Sequence, residues 1–366
     1  IGTCTGAQNP QSGAFDPADA FVYAYGHGLD ALMASEHNHM YDGSNSTNAG
    51  ADPAVAQALY QSGLQQASSF TQGHPGFLAL YGMEWGVISN GGHLNIFGSN
   101  ELYSWEYNGI GQLIGDLYTP KSDYAALYET LRSQNALGQF NHPATSGQFQ
   151  VGGVDLGYDA NGNAVMVLAE VLNSSAFSSN TTETESSRTS FEGAWKKLLE
   201  RGYHVAPSSN QDNHCANWGA SYSNRTGVLL PTDLPLSTES FMAALQARRV
   251  FATMDKTAQL ILISPDNVMG ARIRNAGTLS LTALYASTSG RVVSQVQLLE
   301  GVPGRNGTVT LAANTAQTTL SPSPGDHFYY AKVTQDDGKM LWSAPIWVEQ
   351  LDPADAIFVN GFGMWK

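Results

Sequence analysis

Charge is scarce in this sequence, and positive charge is scarcest. Charged residues make up 13% of the 366, with 17 Lys and Arg against 31 Asp and Glu. The net charge of −14 and a pI near 4.9 leave no basic face for a phosphate backbone, which argues against a nucleic-acid binder. Long hydrophobic runs are also missing: none approaches the roughly eighteen apolar residues of a membrane span. The opening residues carry no signal-peptide pattern, so an exported protein would be seen here in mature or trimmed form. Cysteine is limited to Cys4 and Cys215. Neutral polarity is plentiful instead, as Ser, Thr, Asn, Gln and 38 Gly, a surface common in exported proteins.

The chain is too long for one small core, and its hydrophobic pattern divides in two. Residues 1–15 are rich in Gly, Ser and Asn and read as a loop. Asp16-Pro17 opens a helix, because Asp caps well, Pro suits the first helical position and Asp19 favours the positive end of the dipole. Apolar stretches over 29–34, 77–81, 165–169 and 203–207, and the run leading to Phe140, read as buried strands. Helical spacing recurs over 55–64, 121–133, 190–201 and 238–247. Strands alternating with helices indicate a parallel α/β sheet or barrel over 1–255. Beyond 256 the helices stop, and short strands at 260–263, 278–285, 292–299, 307–312, 328–334 and 342–348 alternate with turns. Residues 256–349 are expected to form a small antiparallel β-sandwich, followed by a tail over 350–366.

Four segments end an apolar run on a metal-ligand residue: ASEHNH (34–39), GMEW (82–85), QFNHPA (139–144) and SSNQDNH (208–214). Imidazoles and carboxylates converging from several strand ends are what a hydrolytic metal centre needs. His37 sits in a Glu-His-Asn-His cluster, with Glu36 beside it and His39 two residues on, as a second ligand or a supporting group. Glu84 can bridge two ions through its two oxygens. His93, flanked by Gly91 and Gly92, fits a ligand or a substrate contact, and His142 is aimed by Pro143. Asp212 and His214 are spaced to meet one ion from one extended segment. Glu170 ends its own strand and suits support of a ligand imidazole. His27, His74, His204 and His327 lack such surroundings and read as structural or exposed. Cys215 follows His214, and Cys4 lies where a first barrel strand would empty onto the same face. That placement favours a disulfide, an oxidising compartment and a secreted or periplasmic protein; a free pair in the cytosol is the alternative.

In their order, Glu36-His37-Asn38, Glu84, His142-Pro143 and Asp212-x-His214 resemble the PHP (polymerase and histidinol phosphatase) superfamily of metal-dependent hydrolases, and most nearly its carbaryl (carbamate) hydrolase branch. Gly92-His93-Leu94-Asn95, Asn217-Trp218-Gly219, Arg225-Thr226-Gly227, the 248–253 segment RRVFAT and the 342–348 segment WSAPIWV are similar to that branch too, so the resemblance spans most of 16–349. It implies a distorted (β/α)7 barrel, with a centre of two or three divalent transition metals at its C-terminal face. His37, Glu84, His142, Asp212 and His214 match its ligand positions. The family also opens with a His-x-His pair on its first strand, and no such pair precedes residue 16 here. The expectation is that this strand and its ligands lie upstream of Ile1; otherwise half the metal site has been lost.

These readings give a hydrolase that uses metal-activated water on a small-molecule ester, with a phosphoester (mono- or diester) first and a carboxylester or carbamate second. A non-catalytic extracellular binding protein on the same scaffold is the third possibility. Zn, Mn and Fe all suit mixed N/O ligands. His39 and His93 are candidates for acid–base work or substrate contact, and Arg225 for an anion clamp or a surface ion-pair partner. The oligomeric state is not legible.

Overall fold

The computed structural model describes residues 16–87, 91–143, 150–151, 154–155, 157–184 and 186–352. The loop expected over 1–15, Cys4 within it, and the tail from 353 onward lie outside the described residues. Helix α1 (Pro17–Gly26) starts as its sequence dictates, with the Asp16 carboxylate accepting the Asp19 amide at 3.3 Å. In α2 (Pro53–Gly73) the Asp52 carboxylate accepts the Ala54 amide at 3.0 Å. This helix continues past 64, the end expected from its apolar spacing, because Ala67 and Phe70 extend its buried face.

Seven strands form the first sheet: β1 (Ala31–His37), β2 (Leu78–Val87), β3 (Gly92–Phe97), β4 (Leu137–Phe140), β5 (Met166–Ser174), β6 (Arg188–Ser190) and β7 (Ala206–Ser209). The order is β1-β2-β3-β4-β5-β6, with β7 also pairing β5. The pairs β1–β2, β4–β5 and β5–β7 are parallel, whereas β2–β3, β3–β4 and β5–β6 are antiparallel. The sheet is therefore mixed. Its antiparallel insertion is β3, a strand the sequence did not announce. Helices α3 (Tyr124–Ser133), α4 (Ala160–Val165) and α5 (Glu192–Arg201) connect the later strands. Trp85, Leu127, Leu131, Trp195, Leu198 and Leu199 are almost fully buried in one core with the sheet. Each such side chain contributes about 2–3 kcal/mol of apolar burial.

The second sheet takes strands from both sides of residue 255. β8 (Arg225–Val228) and β9 (Val250–Thr253) flank α6 (Thr238–Gln246), and β9 pairs with a strand far along the chain. The later strands are β10 (Ala258–Ser264), β11 (Asn267–Val268), β12 (Arg272–Asn275), β13 (Leu279–Ser287), β14 (Val293–Gly301), β15 (Thr310–Ala313), β16 (Gln317–Leu320), β17 (Gly325–Gln335), β18 (Met340–Ser343) and β19 (Ile346–Gln350). Eight strands run β8-β9-β18-β17-β14-β15, with β19 joining β17 and β12 joining β19. Four more run β11-β10-β13-β16. The pairing is antiparallel except for β12 with β19. Leu260, Leu262, Leu281, Leu298, Val333 and Ile346 fill the core between these two sheets. The eight-stranded sheet also packs on the first region: Trp195 meets Tyr330 edge-on at 4.7 Å, and Lys332 pairs with Glu192 at 2.7 Å.

Candidate metal centre

The register of β1 against β2 sets His37 directly beside Glu84. Gly82 permits this approach, since a Cβ there would strike the Ile96 carbonyl oxygen of β3 and the Met33 side chain. Gly91, at φ +101°, leaves room for the ring of Tyr124, whose hydroxyl donates to the Gly92 carbonyl oxygen at 2.6 Å. Strand β3 is thereby fixed with His93 facing Glu84. His142 follows β4 and has φ +28°, and Asp212 has φ +52°. Left-handed backbone at a residue with a Cβ is strained and collects at functional sites, and Pro143 restricts His142 further.

Glu84 is the buried hub. Its Oε1 lies 3.1 Å from His93 Nδ1 and 3.4 Å from His142 Nε2, and its Oε2 lies 3.2 Å from His37 Nδ1. The Asn141 amide donates to Oε1 at 2.9 Å and is itself oriented by Gln139 at 2.8 Å. Burial acts to raise the Glu84 carboxyl pKa, but hydrogen bonds from His142 and His93 and the charges of His93 and His37 outweigh it. The group is held well below the usual carboxylate range. Burial opposes protonation of His142, yet the Glu84 hydrogen bond and the charges of Glu170 and Glu84 lift its pKa to about 9. His37 is depressed, mainly by burial. His39 is depressed to about 4 by burial and then by the charges of His37, His93 and Lys121. Burial, then repulsion from Glu84, raises Asp212 to about 6.

The sequence candidates separate into groups. His37, Glu84 and His93 bring one ligand atom each within 4.8 Å of one another, so these three residues could hold a metal ion. His142 adjoins them through Glu84, and its Nε2 lies 3.3 Å from His93 Nδ1. His93 thus stands among the ligand atoms. Asp212 and His214 line the same cavity as His37, Glu84 and His142; Asp212 Oδ1 is 3.6 Å from His214 Nδ1, and the His37 and His214 rings are 5.9 Å apart. His39 stands at the rim, with its ring 5.4 Å from that of His37 and stacked on Trp105. Glu36 neighbours His37 on β1, and its charge acts on the hydrogen-bonded Tyr41–Tyr81 hydroxyl pair as well as on His37. Glu170 is buried and accepts the His142 amide at 2.5 Å, Asn210 Nδ2 at 2.9 Å and Asn173 Nδ2 at 3.0 Å. It grips the backbone that presents His142.

Of the two readings of Arg225, anion clamp and ion-pair partner, its contacts with the chain accord with the second. Its guanidinium donates to the carbonyl oxygens of Tyr222 (2.7 Å), Asn224 (2.9 Å) and Gly219 (3.1 Å) and pairs with Glu183 at 3.3 Å. Those contacts tie loops together and commit its donors. The four histidines read as structural or exposed lie elsewhere; His27 and His74, for example, turn Nδ1 to carbonyl oxygens four residues back on their own helices. Sequence reasoning gave no role to Asn141, Asn173 or Asn210, although Asn141 and Asn210 stand within the ligand-bearing segments, which was the available signal. Trp105, Lys121 and the exposed Phe177, whose ring is 4.7 Å from that of His214, had no signal at all. The Cys4–Cys215 pairing cannot be followed to Cys4, but Cys215 is buried and no described cysteine is free.

The donor set fits a divalent ion on its own terms. His39 Nδ1 and Asn95 Oδ1 are buried without a hydrogen-bond partner among the described residues, and His37 Nδ1 is buried against the Glu84 carboxylate at 3.2 Å. Buried polar atoms of this kind are costly unless something satisfies them. Among the described residues no helix is long and apolar enough to cross a membrane.

No family model matches the chain, and no curated protein matches it. Among solved structures, fibronectin(III)-like modules of Clostridium thermocellum CbhA are 18% identical over 25% of this chain and 94% of that one, with a TM-score of 0.19. An engineered protein is 13% identical over 82% of this chain and 60% of that chain, with a TM-score of 0.20. A Cellulomonas fimi endo-β-1,4-mannanase is 11% identical over 87% and 63% respectively, with a TM-score of 0.19. At such TM-scores none of them bears on fold or activity here.

Proposed function

We propose that this protein is a metal-dependent hydrolase that uses activated water, with phosphoesters as its first substrate class. The observation that carries the reading is one buried carboxylate, Glu84, with three imidazoles ranged around its two oxygens. His37, Glu84, His142, Asp212 and His214 would hold two or three divalent ions (Zn, Mn or Fe), with His93 joining them. Such ions, when bound, supply Lewis acidity and make water a stronger acid. The chain's own residues would do the rest. Glu170 fixes His142 through its amide, and Asn141 fixes Glu84. His39, neutral because its pKa is depressed, can take a proton from water as it attacks phosphorus and return it to the departing ester oxygen.

The fold reading that accompanies this proposal is a PHP-type barrel. Among the described residues β1 pairs only with β2. Along β1 runs a cavity of about 660 Å³, walled opposite by residues of β7, β8 and β9. The cavity wall is partly apolar, with Leu32, Phe97, Leu168 and Phe251, which supports a carboxylester or carbamate as the second reading. Secretion or a periplasmic location belongs to the same proposal, and thiol titration of the denatured protein should find no free thiol. Two reactive thiols would refute the Cys4–Cys215 bridge.

The test is turnover by the metal-loaded protein on aryl phosphate, phosphodiester and carboxylester panels. Phosphoester hydrolysis that chelator abolishes and His142→Ala lowers at least about a hundredfold is expected. Preference for the carboxylester would select the second reading. No turnover on any panel would leave the scaffold as a binding protein.

A further inference from the structure

The loop entering α3 is pinned at both ends. Thr119 is buried; its amide donates to the Ser104 carbonyl oxygen at 2.9 Å, and its hydroxyl accepts the Trp85 indole N–H at 2.9 Å. The Asp123 amide returns to the Pro120 carbonyl oxygen at 3.1 Å, and the Asp123 carboxylate caps α3 at Ala126. Ser122 takes φ +70°, a conformation the flanking anchors must enforce. Between these points Lys121 is exposed, with its ammonium 5.8 Å from the centre of the Trp105 ring. Trp105 lies edge-on to Trp85 at 5.5 Å and stacks on His39 at 6.0 Å with 22° between planes. The anchored loop and aromatic stack therefore place a cation over Trp105, one ring away from His39.

Lys121 differs from the other cations nearby. Arg225 is committed to carbonyl oxygens and Glu183, and Lys256 pairs with Glu183 at 2.8 Å. Among the described residues Lys121 has no carboxylate at ion-pair distance, and its charge acts on His39 and Glu106. In a chain of net charge −14, an exposed lysine whose charge acts on His39 is an unusual local field. We infer that Lys121 is a specificity-determining residue that recognises the anionic oxygen of the substrate, so that the site selects charged esters over neutral ones. This inference rests on the phosphoester reading of the same site.

The experiment compares the metal-loaded parent with Lys121→Gln and Lys121→Arg on bis(4-nitrophenyl) phosphate and on 4-nitrophenyl acetate. Lys121→Gln should lower the diester-to-acetate ratio of kcat/KM about five- to tenfold, through KM for the diester, as expected for one partly screened ion pair. Lys121→Arg should restore most of the ratio, and added salt should erode the parent's preference more than the variant's. An unchanged ratio, or equal losses on both substrates, would overturn the assignment. If the parent hydrolyses neither compound, the functional reading falls. Lys121 is then judged by calorimetric titration with inorganic phosphate, where weaker binding by Lys121→Gln supports the role and equal or absent binding overturns it.

Discussion

Glu84 meets three imidazoles and one amide, and these partners come from three different short segments of sequence, with Asn141 and His142 side by side in one of them. The imidazoles and the carboxylate were legible because His and Glu at the ends of apolar runs are rare unless paired. Asn141, Asn173 and Asn210 were not, because a neutral amide in a polar loop has too many uses to advertise one. Arg225 kept two readings for a related reason: its local sequence says nothing about the carbonyl oxygens that the folded loops bring to its guanidinium. Glu170→Gln tests the support shell, since its amide would present hydrogens to donors the carboxylate now accepts. Metal affinity should fall about 10- to 100-fold with the fold retained, as measured by competition with a chelating dye. His204 gives a separate test of burial. It bonds Asn163 Oδ1 through Nδ1 at 3.0 Å, and burial, followed by the charges of Arg272 and Arg248, depresses its pKa from 6.5 to about 3. The unfolded chain binds a proton across that window and the folded protein does not, so stability falls as pH drops from 6.5 toward 3. Urea midpoints should show this slope, up to about 1.4 kcal/mol per pH unit, and His204→Gln should flatten it.

Among the elements, capped helices were the most readable. Asp16 announced α1, and in the structure Asp16, Asp52 and Asp123 each accept an amide of the first turn of their helix. Strand β3 was hidden because its six residues follow one glycine, begin with another and contain a histidine and an asparagine. Its pairing comes from β2 and β4 on either side, which is tertiary information. Long-range pairing also explains why β8 and β9 were missed: β9 joins β18, nearly ninety residues away, a separation no local pattern encodes. One contact between elements is unusually concentrated. The buried Glu200 carboxylate of α5 accepts the amides of Gly307 (2.9 Å), Thr308 (2.5 Å) and Val309 (2.9 Å) before β15. Glu200→Ala would leave three donors without their acceptor and should cost about 2–4 kcal/mol in chemical denaturation. Metal content should not change, because α5 contributes no ligand atom.

The whole molecule was legible as two composition regimes, mixed α/β and then all-β, but not as a sheet that passes between them. Because β8 and β9 belong to the same sheet as β14, β17 and β18, the two regions share a hydrogen-bonded ladder as well as a packed face. Unfolding should therefore be a single transition by both near-ultraviolet and far-ultraviolet circular dichroism; two separated midpoints would show that the regions unfold independently. The central claim, a metal centre gathered on Glu84, is also a property of the whole chain, since its ligands span residues 37 to 214. Elemental analysis of the purified protein beside Glu84→Gln tests it most directly. The account predicts at least about two equivalents of Zn, Mn or Fe per chain in the parent and a loss of most of that metal in the variant, with the fold intact. A parent that binds no transition metal when loaded, or a variant that retains the full complement, would contradict it.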